Sequence, residues 1–213
     1  MNKEHGWLYK NAANIVTLSA FPIMFVLLWV ILYHREWTAI ILILVTAERL
    51  TDWLDGGLAR FLGTVTKLGG GLDRIRDKCL IAIMVVYLLL EGRVHFTVKI
   101  ITVPTIVIES MLTAIWWMGV KSRLDVSTVK PKTGGYGPGQ LKMGFISAAI
   151  LFCLFNLVVE EQWGAGYNHW ATLLTNILFA ISIVYGIKSY RAHQKKYRAQ
   201  MSQISQVPDQ KAG

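Results

Sequence analysis

Apolar residues in this chain come in long blocks rather than short alternating runs, and short polar stretches rich in charge or glycine separate the blocks. The blocks are Ile15–Tyr33, Trp37–Phe61, Arg74–Leu90, Phe96–Met118, Leu141–Val159 and Trp170–Ile187. Each is about 17–25 residues long, enough for an α-helix to cross a hydrocarbon core of about 30 Å. The pattern predicts an all-α integral membrane protein with six transmembrane helices. No internal repeat or second domain is visible. Residues 1–190 read as one six-helix membrane domain, and residues 191–213 as a basic, polar cytoplasmic tail that carries on from the last helix. The first block is long and no small-residue cleavage site follows it, so it reads as a span and not as a cleaved signal peptide.

Composition agrees. Charged residues make up 16% of the chain and hydrophobic ones 54%, whereas a soluble domain carries about 25% charged residues. The net charge of +9 is unevenly spread. Basic residues collect at Lys3 and Lys10, in 60–78, in 121–142 and in the tail, while the intervening turns hold Glu36, Glu91, Glu160 and Glu161. Under the positive-inside rule this alternation puts both termini in the cytoplasm. The basic excess sits between spans at headgroup level. It therefore points to anionic lipid or a phosphorylated substrate, and not to nucleic acid. Cys79 and Cys153 fall inside predicted spans with no CxxC or Cys/His spacing, which argues against a zinc or redox centre. Trp37, Trp163 and Trp170 lie near span ends, as in interfacial aromatic belts.

Four carboxylates break the apolar pattern. One segment reads Asp52-Trp-Leu-Asp55-Gly56-Gly57-Leu-Ala59-Arg60, the next Gly69-Gly70-Gly71-Leu72-Asp73-Arg-Ile-Arg-Asp77. Asp52 and Asp55 are three apart and Asp73 and Asp77 four apart, so each pair shares a helix face. A short loop lets the two helices pack antiparallel with these faces opposed. One carboxylate inside a membrane helix costs roughly 3 kcal/mol, so such a cluster needs cations. Oxygen-only ligands suit Mg²⁺, Mn²⁺ or Ca²⁺. Two such ions about 3.5–4 Å apart would stabilise in-line displacement at phosphorus. Gly69, Gly70 and Gly71 are expected to end the connecting loop, where free amides can meet a phosphate. Arg60 can reach a phosphate oxygen at the membrane surface. Glu48, Arg49 and Glu109 lie inside predicted spans, each a supporting group for the site or half of a buried ion pair.

These residues match D-x2-D-G-x2-A-R followed by G-x3-D-x3-D, with eight residues between Arg60 and Gly69. On that motif and the six-helix plan the chain resembles the CDP-alcohol phosphatidyltransferase family, in particular its phosphatidylglycerophosphate synthase-like members. The resemblance implies two divalent cations, Mg or Mn, held by Asp52, Asp55, Asp73 and Asp77. It implies Asp77 as the catalytic proton acceptor and Gly56, Ala59, Arg60, Thr66 and Gly69 at the CDP-lipid. It further implies an active site at the cytoplasmic side, a homodimer, and transfer of a phosphatidyl group from CDP-diacylglycerol to a small alcohol with release of CMP.

The acceptor is read from the second basic loop. Lys130-Pro-Lys132-Thr133 followed by Gln140 looks like a G-K-x-K-T-x2-Q segment of the synthases, with Val129 in place of the glycine and the insertion 134–139 before Gln140. Arg123, Lys130 and Lys132, with Arg74 and Arg76, would suit an anionic acceptor of about two negative charges. Glycerol 3-phosphate is the expected acceptor, with inositol phosphate or another alcohol as the alternative. The expected location is a bacterial inner membrane. Two rival classes are an ion transporter and a non-catalytic membrane scaffold. The first would place its charges near the bilayer midplane, and the second gives no reason for the full motif.

Overall fold

The computed structural model describes residues 7–62, 67–122, 124, 137–164 and 168–205; for 7–17, 19, 55–62, 67–70 and 204–205 it describes the backbone alone. The described residues form six helices and no strand. The helices are α1 (Trp7–Tyr33), α2 (Thr38–Leu62), α3 (Lys67–Leu90), α4 (Phe96–Lys121), α5 (Pro138–Trp163) and α6 (His169–Ser205). By length and composition α4, α5 and His169–Gln203 of α6 can cross a membrane, and Ala20–Tyr33 of α1 is a shorter apolar stretch. The fold is all-α and of membrane type.

One boundary differs from expectation. α3 starts at Lys67, so Gly69, Gly70 and Gly71 lie within the helix and not at the end of a loop. Glycine costs about 1 kcal/mol relative to alanine in a helix interior, a weak preference that packing overrides. Gly69 and Gly70 still fall in the first turn, where backbone amides have no intrahelical acceptor. A Cβ added at Gly71 would meet no atom within 4 Å, so the helix surface there is open.

Side chains define two helix ends. Asn168 Oδ1 accepts from the amides of Trp170 (3.1 Å) and Ala171 (3.2 Å), capping α6. At α5, Pro138 takes the first position, and Gln140 Oε1 reaches back to the amide of Gly137 at 3.0 Å. Gln140 thus has a structural task of its own. Past the end of α5, Gly164 adopts φ 59°, the left-handed conformation that closes many helices.

The helices gather into two compact units. The first comprises the chain up to His95 together with Ile150–Thr172. Here α1 packs on α2 and α3. Its buried stripe is Ala20, Met24, Leu27 and Ile31, at helical spacing. The buried stripe of α2 runs Ile41, Val45, Glu48, and that of α3 runs Leu88, Met84, Leu80, Arg76. Both stripes are apolar at one end and charged at the other.

At the apolar end, Arg93 in the turn between α3 and α4 ties three elements together. It donates to Glu91 Oε1 (2.9 Å), to Glu161 Oε2 on α5 (3.2 Å) and to Thr38 Oγ1 at the start of α2 (2.7 Å). Burial pushes the Glu91 carboxyl up, but hydrogen bonds from the Arg93 side chain and amide outweigh it and hold the group below its ordinary value. The bond to Glu91 likewise raises Arg93.

The second unit comprises Phe96–Ala149 and the chain from Leu173 onward. Glu109 of α4 and Lys142 of α5 form an ion pair there, with side-chain exposures of 7% and 6%. α6 approaches closely at Gly186: an added Cβ would lie 2.8 Å from Ile108 Cγ2 and 3.5 Å from Lys142 Cδ. Thr102 and Thr113 return their hydroxyls to carbonyls one turn back, both at 2.7 Å, which satisfies polar groups that lipid cannot.

Candidate active site

The charged ends of the α2 and α3 stripes meet. Glu48 follows Ile41 and Val45 on the buried side of α2, and its side chain is 0% exposed. Arg76 extends the stripe of Leu80 and Met84 on α3, and it too is 0% exposed. Arg76 Nε lies 3.3 Å from Glu48 Oε1. One turn outward, the Arg76 guanidinium reaches Asp73 Oδ1 at 2.8 Å and pairs with Asp52. On the other side of Glu48, Arg49 Nε donates to Glu48 Oε2 at 2.7 Å, and Arg49 Nη2 donates to Asp77 Oδ1 at 3.1 Å. Glu48 therefore anchors two guanidiniums, and those guanidiniums position three aspartates.

Exposure rises along this network. Glu48 and Arg76 are sealed and Arg49 is 13% exposed, while Asp77, Asp52 and Asp73 are 20%, 34% and 44% exposed. Asp52, Asp73 and Asp77 each offer a carboxylate oxygen within 4.8 Å of the others. Two oxygens on opposite sides of one Mg²⁺ lie about 4.2 Å apart, so small side-chain movements close the set around an ion. An all-oxygen, half-open cluster fits a hard divalent cation and leaves room for a phosphate oxygen.

The expected site residues divide as follows. Asp52, Asp73 and Asp77 come together. Asp55, Gly56, Ala59 and Arg60 lie on the continuous helix α2, and Gly69 in the first turn of α3, all at backbone level. Thr66, Arg123, Lys130 and Lys132 lie outside the described residues. Lys142, counted with the basic loop from sequence, is buried against Glu109. Glu109 is thus half of a buried ion pair, one of its two expected roles.

Residues 10–187 match the sequence profile of the CDP-alcohol phosphatidyltransferases, and positions 52–77 fall inside that stretch. The chain belongs to this family. Among curated relatives, the CDP-diacylglycerol--glycerol-3-phosphate 3-phosphatidyltransferase of Pseudomonas fluorescens is 36% identical over 81 residues. That alignment spans 38% of this chain and 40% of the relative's length. In this member of the family the motif runs across the facing ends of α2 and α3.

Sequence reasoning missed one member of the network. The sequence pattern groups Arg76 with basic residues that would face an anionic acceptor, yet it is turned inward and shared among Glu48, Asp52 and Asp73. The signal was present: residues 76, 80, 84 and 88 share one face of α3, and three of these four are apolar.

Proposed function

We propose that this protein transfers a phosphatidyl group from CDP-diacylglycerol to a small phosphorylated alcohol, glycerol 3-phosphate in the first instance, with release of CMP. The observation that carries the reading is the convergence of Asp52, Asp73 and Asp77 within 4.8 Å, inside a chain whose family match covers residues 10–187. The relative from Pseudomonas fluorescens, over the part it shares, supports the acceptor.

The residues divide the work. Asp52, Asp55, Asp73 and Asp77 would hold one or two divalent cations, which when bound neutralise pyrophosphate and developing charge. Asp77 takes the proton of the acceptor hydroxyl as that oxygen attacks the phosphorus carrying the diacylglycerol. The bond to the CMP oxygen breaks, and CMP departs. Arg49, bonded to Asp77 Oδ1, fixes the carboxylate's direction. Gly56, Ala59, Arg60, Thr66 and Gly69 contact the CDP-lipid. Arg123, Lys130 and Lys132 bind the acceptor phosphate.

We place the site toward the cytoplasmic face of a six-span bundle in a bacterial inner membrane. Asp52 lies 14 residues beyond Thr38 on α2, and Asp77 lies 13 residues before Leu90 on α3. At 1.5 Å per residue both carboxylates sit about 20 Å from the Arg93 end, well past the middle of a core of about 30 Å.

The test is metal-dependent CMP release by purified protein in detergent, given CDP-diacylglycerol and a panel of glycerol 3-phosphate, inositol phosphate, inositol, serine and glycerol. Release with glycerol 3-phosphate is expected, falling by about 100-fold or more in Asp77→Asn, the scale of a lost general base. Release with another acceptor alone would overturn the choice of alcohol. Folded protein that releases CMP with none of them would overturn the proposed reaction.

A further inference from the structure

We propose that the buried Arg76 guanidinium is a fixed counter-cation of the carboxylate cluster, which shares Asp52 and Asp73 with the divalent metal and so lowers metal affinity while keeping the cluster assembled without it. The inference rests on the metal-site reading above.

Three observations carry it. The first is place. Arg76 has no exposed surface, and its guanidinium pairs with Glu48, Asp52 and Asp73. A side chain spent in this way is not a surface ligand for an incoming phosphate. The second is charge. Glu48, Asp52, Asp73 and Asp77 set four carboxylates against the two guanidiniums of Arg49 and Arg76. These guanidiniums offset part of the cluster's negative charge before any ion arrives. The third is the aspartates themselves. Two of the three that can converge on a metal are the two that Arg76 holds.

The consequence is electrostatic. A unit positive charge within hydrogen-bonding distance of two ligand carboxylates repels a divalent ion a few ångströms away. It also draws electron density from the oxygens that would bind that ion. In a half-buried site such a repulsion is worth far more than in water. The same charge offsets the mutual repulsion of the carboxylates when the metal is absent. Arg76 is thus a positioning residue with two opposed effects, and a purely structural ion pair would show only one of them.

The experiment uses the full chain in detergent with Mn²⁺ as probe. Free Mn²⁺ is read by its electron paramagnetic resonance signal, and thermal unfolding is followed with and without EDTA. Arg76→Gln is expected to bind Mn²⁺ about tenfold more tightly or better. Its unfolding midpoint should fall more on adding EDTA than that of the parent protein. Arg76→Lys keeps the charge and is expected to bind within about threefold of the parent. The proposal is overturned if Arg76→Gln binds Mn²⁺ with unchanged or weaker affinity, or if Arg76→Lys gains as much as Arg76→Gln. It is also overturned if Arg76→Gln does not fold in saturating Mn²⁺, because the metal should then replace the missing charge. A parent protein that binds no Mn²⁺ would instead overturn the metal-site reading, a result distinct from all of these.

Discussion

Arg49 orients two carboxylates with one planar group: its Nε serves Glu48 and its Nη2 serves Asp77. Lysine offers a single ammonium without that fork, so it can hold one partner well or both poorly. Arg49→Lys is expected to cut turnover by about 10–100-fold, the usual cost of losing a group that directs a metal-site ligand. The KM for CDP-diacylglycerol should change little, because Arg49 is 13% exposed and directed at Asp77. CMP-release kinetics measure both, and an unchanged turnover would show that Asp77 needs no such support. At this scale the sequence was partly legible. Spacing alone puts Asp73 on one helix face with Asp77. Pairings across the interface between α2 and α3, Arg49 with Asp77 and Arg76 with Glu48, depend on helix register, which no local spacing encodes. The inward turn of Arg76 was hidden for another reason. The charged residues Arg74, Asp77 and Lys78 close to it in sequence suggest a charged surface, and only the longer stripe through Leu80 and Met84 shows otherwise.

Among the elements, α4 and α5 are joined by a charge pair that lipid cannot solvate. Glu109 and Lys142 are nearly sealed, and α6 closes over the lysine stem at Gly186. Removing one member leaves the other charged and buried. Glu109→Gln or Lys142→Met alone is expected to destabilise the protein by about 3–5 kcal/mol, whereas the double substitution should recover most of the loss. Unfolding in detergent with all three variants decides this, and additive losses would mean that the two side chains do not depend on each other. The Arg93 turn gives a second, pH-dependent expectation. The folded Glu91 carboxyl is held below its ordinary 4.5. Its contribution to stability is therefore complete above that value and is lost as pH falls through the folded one. Glu91→Gln should remove this part of the acid sensitivity, so the midpoint difference between parent and variant should shrink as pH drops below about 4.5. A constant difference would show that the carboxylate charge plays no part. The six helices themselves were legible because the apolar residues come in long blocks without the alternation of a strand. The start of α3 was not, since three glycines resemble a loop until the packing of the rest of the helix holds them in place.

For the molecule as a whole, the outer surface decides the environment. Phe25, Ile43 and Trp53 in the first unit are 71%, 65% and 71% exposed, and Ile100, Val103 and Val107 on α4 form an exposed stripe at 53%, 51% and 51%. Large apolar side chains in such number suit lipid. Chain order then makes a topological claim that needs no knowledge of how the helices pack. Between Gly92 and Ser202 run α4, α5 and α6, the helices that among the described residues are long and apolar enough to span. If all three cross, the odd number of crossings puts the two positions on opposite sides of the membrane, which is the expectation to test. α6 is 37 residues long, about 55 Å at 1.5 Å per residue, so its polar end around Ser202 must stand clear of a core of about 30 Å. Both positions suit a reporter cysteine. A Cβ at Gly92 would meet no atom within 4 Å, and Ser202 is exposed. Cys79 and Cys153 would first be replaced by serine. In intact cells a membrane-impermeant maleimide is expected to label Gly92→Cys and spare Ser202→Cys, and inside-out vesicles should reverse the result. That outcome would put the Arg93 turn outside and, across about 20 Å of α2 and α3, the aspartates toward the cytoplasm, where a water-soluble phosphorylated alcohol can reach them. Labelling of both positions from one side would leave an even number of crossings between them, and the cytoplasmic placement of the site would fall with it.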